Sequence, residues 1–334
     1  MALTLGCGAA NTEQASIPPR EGVSEPHVDT ADAAVTIEAK ASQPDAGPPS
    51  PEPRDLEATW GGNADDTVLG TNVTLIVNFV EVRKHPDADK LAAVLNATPQ
   101  WRIAPGALEP VRDLDWVRVT GPTLVTTDLD DVVFQHSALD EKVDNAITHE
   151  LKGQRLALQV RGVKAWTATI GKGQRAILHA PPHLVAIIAR VDADSVARQM
   201  TGASPAHTIA SPVFHPGEAM RLRALHPGTA MPAVPADISE MRLWVDVRPS
   251  GGGADIHAEG DCPTSEAARI DADTIASIIR QQNTFGVRII TENLLGGATV
   301  TSVGTEVRVH IPASQRQIEA VLSVLASRLN ATPP

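Results

Sequence analysis

The chain has 334 residues, 42% of them hydrophobic, and a formal net charge of −12, enough length for two ordinary domains around a normal apolar core. Aromatic residues are scarce at 3%, with no Tyr at all, so the core must be aliphatic, and the stacking platforms that hold single-stranded nucleic acid are disfavoured. No basic stripe offsets the acidity, which argues against nucleic acid as a partner. Only Cys7 and Cys262 are present, which excludes a disulfide framework and a thiolate zinc site.

Taken from the amino terminus, the acidity is concentrated early: residues 1–58 hold ten Asp or Glu against Arg20, Lys40 and Arg54. Residues 8–66 carry Pro18-Pro19, Pro26, Pro44, Pro48-Pro49, Pro51 and Pro53 among Ala, Ser, Asp and Glu. Such a segment cannot bury enough surface to offset its ordering entropy, so residues 1–66 are expected to be a disordered, partly polyproline-like spacer. Its opening, Met1-Ala2-Leu3-Thr4-Leu5-Gly6-Cys7-Gly8, resembles the end of a signal peptide of bacterial cell-envelope lipoproteins, in which a small residue precedes the cysteine that receives the lipid. Gly6-Cys7 fits that pattern, whereas Thr4 and Leu5 stand where the family has Leu and a small residue. The resemblance implies lipidation at Cys7, a signal beginning upstream of Met1, and a lipid-anchored envelope location, with the cytoplasm as the alternative if Cys7 is not processed. No run reaches the ~18 apolar residues of a membrane-spanning helix.

The first folded region is placed at 67–202. In Thr71–Val80, residues Val73, Leu75, Val77 and Phe79 share one face at the period of a strand, and Ile76 and Val80 share the other with polar residues. A helix follows over 86–96, with His85 at the N-cap, Pro86 at the first helical position and Asp87 and Asp89 in the first turn. Strands are predicted at Trp116–Thr120 and Asp131–His136. Ser137 and Asp140 have capping-box spacing before an amphipathic helix that Gly153 closes. Three more strands, Val163–Ile170, Gln174–His179 and His183–Arg190, and a short helix at 193–200 complete a β-α-β-β-α-β-β-β order.

Residues 203–238 read as an irregular linker with a possible strand at 219–225. Beyond it, a domain at 239–330 opens with a hairpin, 240–247 and 254–260, around Gly251-Gly252-Gly253. A helix starts near Pro263 and runs toward Gly296-Gly297, with a break allowed at Gly286 and Val287–Ile290. A second hairpin at 298–311 precedes a last helix, for which Ser314 and Gln317 form a capping box. The fold class is therefore α+β, in two domains, each a mainly antiparallel sheet with helices on one face.

Motifs that carry chemistry are incomplete throughout. His149-Glu150-Leu151-Lys152-Gly153 begins like a zinc-protease motif but has Gly where the second ligand belongs. His85-Pro86-Asp87-Ala88-Asp89 is accounted for by a helix start. His179 and His183 bracket Pro181-Pro182 without a nameable third ligand and read as turn-flanking residues, and His207, His215 and His226 read as solvated. Gly171-Lys172-Gly173-Gln174 and Gly251-Gly252-Gly253 lack phosphate-loop context, Gly202-Ala203-Ser204-Pro205-Ala206 is not a nucleophile elbow, and Asp130-Asp131 and Asp65-Asp66 read as loop carboxylates. Cys262 reads as a small buried hydrophobe. No catalytic, metal or cofactor residue is assigned, and no cofactor is expected. The expectation is a non-enzymatic envelope protein that binds an unknown protein partner or presents a surface; the alternative is a carrier or sensor of a small apolar ligand held between sheet and helices.

Overall fold

The computed structural model describes residues 73–97, 108–121, 130–170, 173–202, 211–229, 233–248 and 252–331, together with Ile209 and Met231. Cys7, expected to carry the lipid, the segment 1–66 expected to be a signal remnant and spacer, and the Asp65-Asp66 pair lie outside these residues. All the described residues belong to one compact unit.

Twelve strands form the frame: β1 (Val73–Asn78), β2 (Leu114–Gly121), β3 (Asp131–His136), β4 (Gln154–Arg155), β5 (Lys164–Ile170), β6 (Gly173–Ala180), β7 (Leu184–Ala189), β8 (Glu218–Leu225), β9 (Glu240–Arg248), β10 (Gly253–Asp261), β11 (Thr299–Val303) and β12 (Glu306–Ala313). They make one sheet in the order β11-β12-β10-β9-β8-β1-β2-β3-β7-β6-β5-β4, and every pair is antiparallel. The α+β class is as the sequence implies. The expectation of two separate sheets is corrected, and the reason is β8: the strand in the supposed linker pairs with β1 through Leu75↔Leu222 and with β9 through Leu222↔Leu243, joining the two halves edge to edge. An edge left bare in either half would expose unpaired backbone groups, and β8 satisfies both at once.

Because β1 is central, both its faces are covered. Phe79 and Ile76 are each fully buried although they point to opposite sides, so the face carrying Ile76 is as much core as the one carrying Val73, Leu75 and Val77. The short helix α1 (Phe79–Val82) follows the strand directly, with the Asn78 side chain accepting from the Glu81 N–H. The next helix, α2 (Ala88–Ala97), starts two residues later than expected. His85, expected as the N-cap, therefore lies three residues before the helix; its Nδ1 accepts from the Asp87 N–H at 3.1 Å, and its Nε2–H is thereby free to donate to the Gly252 carbonyl at 2.6 Å.

One face of the sheet, that of Val77, Val117, Phe134 and Val185, carries α1, α2, α3 (Pro110–Asp113) and α4 (Asp140–His149) in the first half; Phe79, Val82, Val111, Val143, Ile147 and Trp166 form one buried cluster there. In the second half the same face carries α6 (Ser265–Gln282), whose Ala268 and Ala272 pack with Val307. Two further helices stand beside it: α7 (Phe285–Ile290), which makes real the break allowed near Gly286, and α8 (Gln315–Ala331). The capping box of α8 forms as expected: Gln317 Oε1 accepts from the Ser314 N–H at 2.8 Å, and Ser314 Oγ from the Gln317 N–H at 3.4 Å. The one expected for α4 does not, because Ser137 Oγ donates instead to the Asp113 carbonyl at 3.2 Å and Leu139 is the N-cap.

The opposite face is divided. Its first half is apolar, with Trp116, Val133, Leu178, Ala186 and Ile188 buried beneath α5 (Ala193–Met200). Its second half is a lattice of cross-strand charges: Arg223 with Glu240 at 2.9 Å, Arg242 with Asp261 at 2.7 Å, Arg308 with Glu259 at 3.6 Å, and His310 with Asp255 at 3.0 Å. Trp244, His257 and His310 stack in register through its middle, with ring centroids 5.1 and 4.7 Å apart. Partly exposed pairs of this kind contribute little stability each. Their effect is on register, since a one-residue slip would turn every charge into the apolar side. Arg221, buried and paired with Glu218 at 2.5 Å, sits where the two kinds of surface meet.

Candidate functional site

Two places depart from ordinary packing. The first is the contact between α6–α8 and the second half of the sheet. On the sheet side Leu243, Val245, Ile256, Ala258, Val309 and Ile311 point toward the helices, yet all six remain partly exposed. The helix side matches: Ile275, Ile278 and Ile279 of α6 are partly exposed, and of Gln315–Leu329 in α8 no residue is fully buried, although Ile318, Val321, Leu322, Leu325 and Leu329 make an apolar stripe. Beside them Phe285, Ile289 and Ile290 of α7 are 73%, 62% and 51% exposed. Ala268, Ala272 and Val307 are buried where α6 meets β12, but the rest of both apolar walls stays partly exposed, which is unusual for layers that fold around one core. In the first half of the same sheet Phe134, Ile177, Val143 and Ile147 are buried, and a void of about 10 Å³ that they line under α4 is about the size of one water.

The second place is a cluster of imidazoles and carboxylates at the end of the first half. His136 ends β3, His179 lies on β6, and His183 lies in the turn between β6 and β7, where its carbonyl accepts from the His136 N–H at 3.0 Å. Asp140 and Asp144 lie one turn apart on α4, so the helix that buries Val143 and Ile147 presents both carboxylates to the histidines. His136 Nε2 and His179 Nε2 are 3.2 Å apart. Asp140 Oδ1 lies 3.3 Å from His179 Nε2, 3.8 Å from His136 Nε2 and 2.6 Å from His183 Nδ1.

The outer partners fix the tautomers. His136 Nδ1 faces the Ala138 carbonyl at 3.1 Å and must donate to it; His179 Nδ1 donates to Asp144 Oδ1 at 2.7 Å. Asp144 is itself held by Lys164, Nζ to Oδ2 2.5 Å. Burial, reinforced by the neighbouring His179, pushes His136 down to about 4, so its ring is neutral at pH 7. Burial pulls Asp140 upward, but the His183 hydrogen bond and the charges of His179, His183 and His136 hold it below the usual carboxylate value. The result is an imidazole lone pair on His136 and a carboxylate oxygen on Asp140, converging on the Nε2 of His179.

The sequence reading of His179 and His183 as separate turn-flanking residues is therefore corrected: they meet in one cluster. The missing partner, His136, comes from β3, whose pairing with β7 no local pattern of residues predicts. Asp130 and Asp131 also differ from expectation, because both are buried rather than solvated loop residues. Arg175 Nη2 donates to the Asp130 carbonyl at 2.7 Å and to Asp131 Oδ1 at 2.5 Å, and burial pushes both carboxyls up to about 6 against the pull of that guanidinium. His149 is the exposed last residue of α4, as read. His215 is partly buried with Nε2 enclosed, whereas His226 is exposed. His207, Lys172 and residues 203–206 lie outside the described residues. Gly173 opens β6, where it pairs with Ile170 of β5, and Gly253 opens β10, where it pairs with Arg248 of β9. Cys262 is buried, donates to Asp271 Oδ2 at 3.4 Å, and has its thiol pushed up to about 12 by burial and by that carboxylate, which leaves it inert.

No helix among the described residues is long and apolar enough to cross a membrane. No protein-family model and no curated protein matches the chain. One solved structure that it resembles, described as "Structure of crystal form I of TP0453", is 11% identical with a TM-score of 0.45, over 77% of this chain and 95% of that one.

Proposed function

We propose that this is a non-enzymatic, lipid-anchored cell-envelope protein whose folded body binds and carries a small apolar ligand, taken between α6–α8 and the second half of the sheet. The observation that supports the reading is the contrast within one sheet: in the first half Val117, Phe134, Ile177 and Val185 are buried under the helices, while in the second half Leu243, Val245, Ile256, Val309 and Ile311 face the helices and stay partly wet. A ligand that supplied the missing apolar surface would gain roughly 25 cal/mol per Å² removed from water. The facing residues Leu243, Val245, Ile256, Val309 and Ile311 of the sheet and Ile275, Ile278 and Ile279 of α6 are aliphatic, so a flexible hydrocarbon chain suits the space better than a polar metabolite. The exposed Phe285, Ile289 and Ile290 on α7 support a protein partner as well, docking beside the ligand to deliver or accept it.

The test is a titration with a fluorescent polyene fatty acid, competed by palmitate. Saturable binding of one equivalent, lost in Leu325→Asp and in Ile311→Asp but retained in a surface variant such as Glu319→Ala, is the expected result. Equal binding by all four proteins, or none by the parent, contradicts the reading. The anchor is tested separately by the intact mass of protein recovered from its native membrane fraction, where an acyl adduct on Cys7 is expected and an unmodified cysteine would remove the lipid-anchored part of the proposal.

A further inference from the structure

We propose that His136, His179 and Asp140 hold a divalent transition-metal ion of the zinc class, with His183 closing the fourth position. The proposal is independent of the apolar ligand, and three observations carry it. First, the outer partners aim the ligand atoms. Ala138 and Asp144 each take the Nδ1–H of one ring, at 3.1 and 2.7 Å, which turns the Nε2 of His136 and of His179 toward the same point. Metal-bound histidines are oriented in this way by a carbonyl or carboxylate on the far nitrogen. Second, the spacing suits a metal. Two ligands at ~2.0–2.1 Å from a tetrahedral zinc stand about 3.3 Å apart; here the two Nε2 atoms are 3.2 Å apart and Asp140 Oδ1 lies 3.3 Å from that of His179 and 3.8 Å from that of His136, a triangle that closes on an ion with a small turn of the Asp140 side chain. Third, the site has an entrance: the His136 and His179 side chains are buried, while those of His183 and Asp140 are 47% and 42% exposed. His183 Nδ1 lies on Asp140 Oδ1 at 2.6 Å, a hydrogen bond that it gives up when it turns to the ion. Imidazole and carboxylate together suit zinc, nickel, copper or iron(II) rather than magnesium or calcium.

A rival satisfies the same contacts without a metal: His179 carries two protons, one donated to Asp144 and the other shared between His136 Nε2 and Asp140. The experiment separates the two. The full chain, stripped with chelator, is titrated with zinc by calorimetry and with cobalt(II) by visible absorption, alongside Asp140→Asn, His179→Ala and Asp144→Asn. Asp140 is half-exposed, so its variant is expected to keep the metal-free melting temperature of the parent, which guards against loss of folding. One equivalent of zinc, intense tetrahedral cobalt bands, a zinc-dependent rise in melting temperature, and affinity lowered at least about tenfold in Asp140→Asn and about 10–100-fold in Asp144→Asn are the expected results, with binding abolished in His179→Ala. Failure of the parent to take up an equivalent of either ion overturns the proposal, and so does uptake that is unchanged in Asp140→Asn and His179→Ala.

Discussion

Truncating one aliphatic side chain in each half of the sheet should give two very different losses of stability. Ile177 is 1% exposed, lies in the cluster that includes Phe134 and Ile147, and lines the small void under α4. Ile177→Ala removes its transfer energy and enlarges a void that rigid neighbours cannot close, so about 2–5 kcal/mol should be lost. Leu325 is part of the α8 stripe, which is nowhere fully buried. Part of its surface is already in water and no sealed cavity is created, so Leu325→Ala should cost on the order of 1 kcal/mol or less. Urea unfolding followed by circular dichroism measures both, with unchanged slopes as the sign that the unfolding reaction is the same. A loss in Leu325→Ala equal to that in Ile177→Ala would mean that the α8 wall is as closed as the first core, and the reasoning behind the ligand site would fail.

Two further outcomes follow from single residues. Asp130 is buried with its carboxyl raised from 3.8 to about 6; a carboxyl raised on folding stabilises when protonated, and that contribution fades as pH rises through about 6. The parent should therefore gain about 1 kcal/mol from this group between pH 7 and pH 5, and the gain should be missing from the pH profile of Asp130→Asn in denaturant titrations. Ser314→Ala removes the Oγ that caps α8 and should lower stability by about 1 kcal/mol, visible as a lower urea midpoint; Ser137→Ala, where no cap forms, should not show the same fraying of its helix by amide exchange.

Local structure was legible wherever period and punctuation agreed. The strand over Val73–Asn78, the short helix at 193–200, both hairpins of the second half and the Ser314–Gln317 cap follow from residues a few positions apart, and the strand at 219–225 forms as β8, whereas Phe79 and Val80, expected to continue the first strand, open a helix instead. What could not be read was where β8 goes. Its pairing with β1 and β9 is a contact between segments about 150 residues apart in one direction and about 20 in the other, so proline-rich surroundings suggested a linker and one sheet was read as two. The same gap hid the imidazole cluster. His179 and His183 were visible as a pair around a turn, but His136 joins them only because β3 pairs with β7, and Asp140 had been assigned to a capping box. Asp130 and Asp131 looked solvated because neighbouring residues say nothing about Arg175, which reaches them from β6 and accompanies their burial.

The proposed ligand site requires that an apolar chain cover the partly exposed second half of the sheet and leave the buried first half untouched. Hydrogen–deuterium exchange of the full protein with and without palmitate tests this most directly. Slowed exchange confined to α6, α8 and the strands β9, β10 and β12 is the predicted result. Protection spread over β3, β6 and α4, or no change at a saturating concentration of the acid, would contradict it.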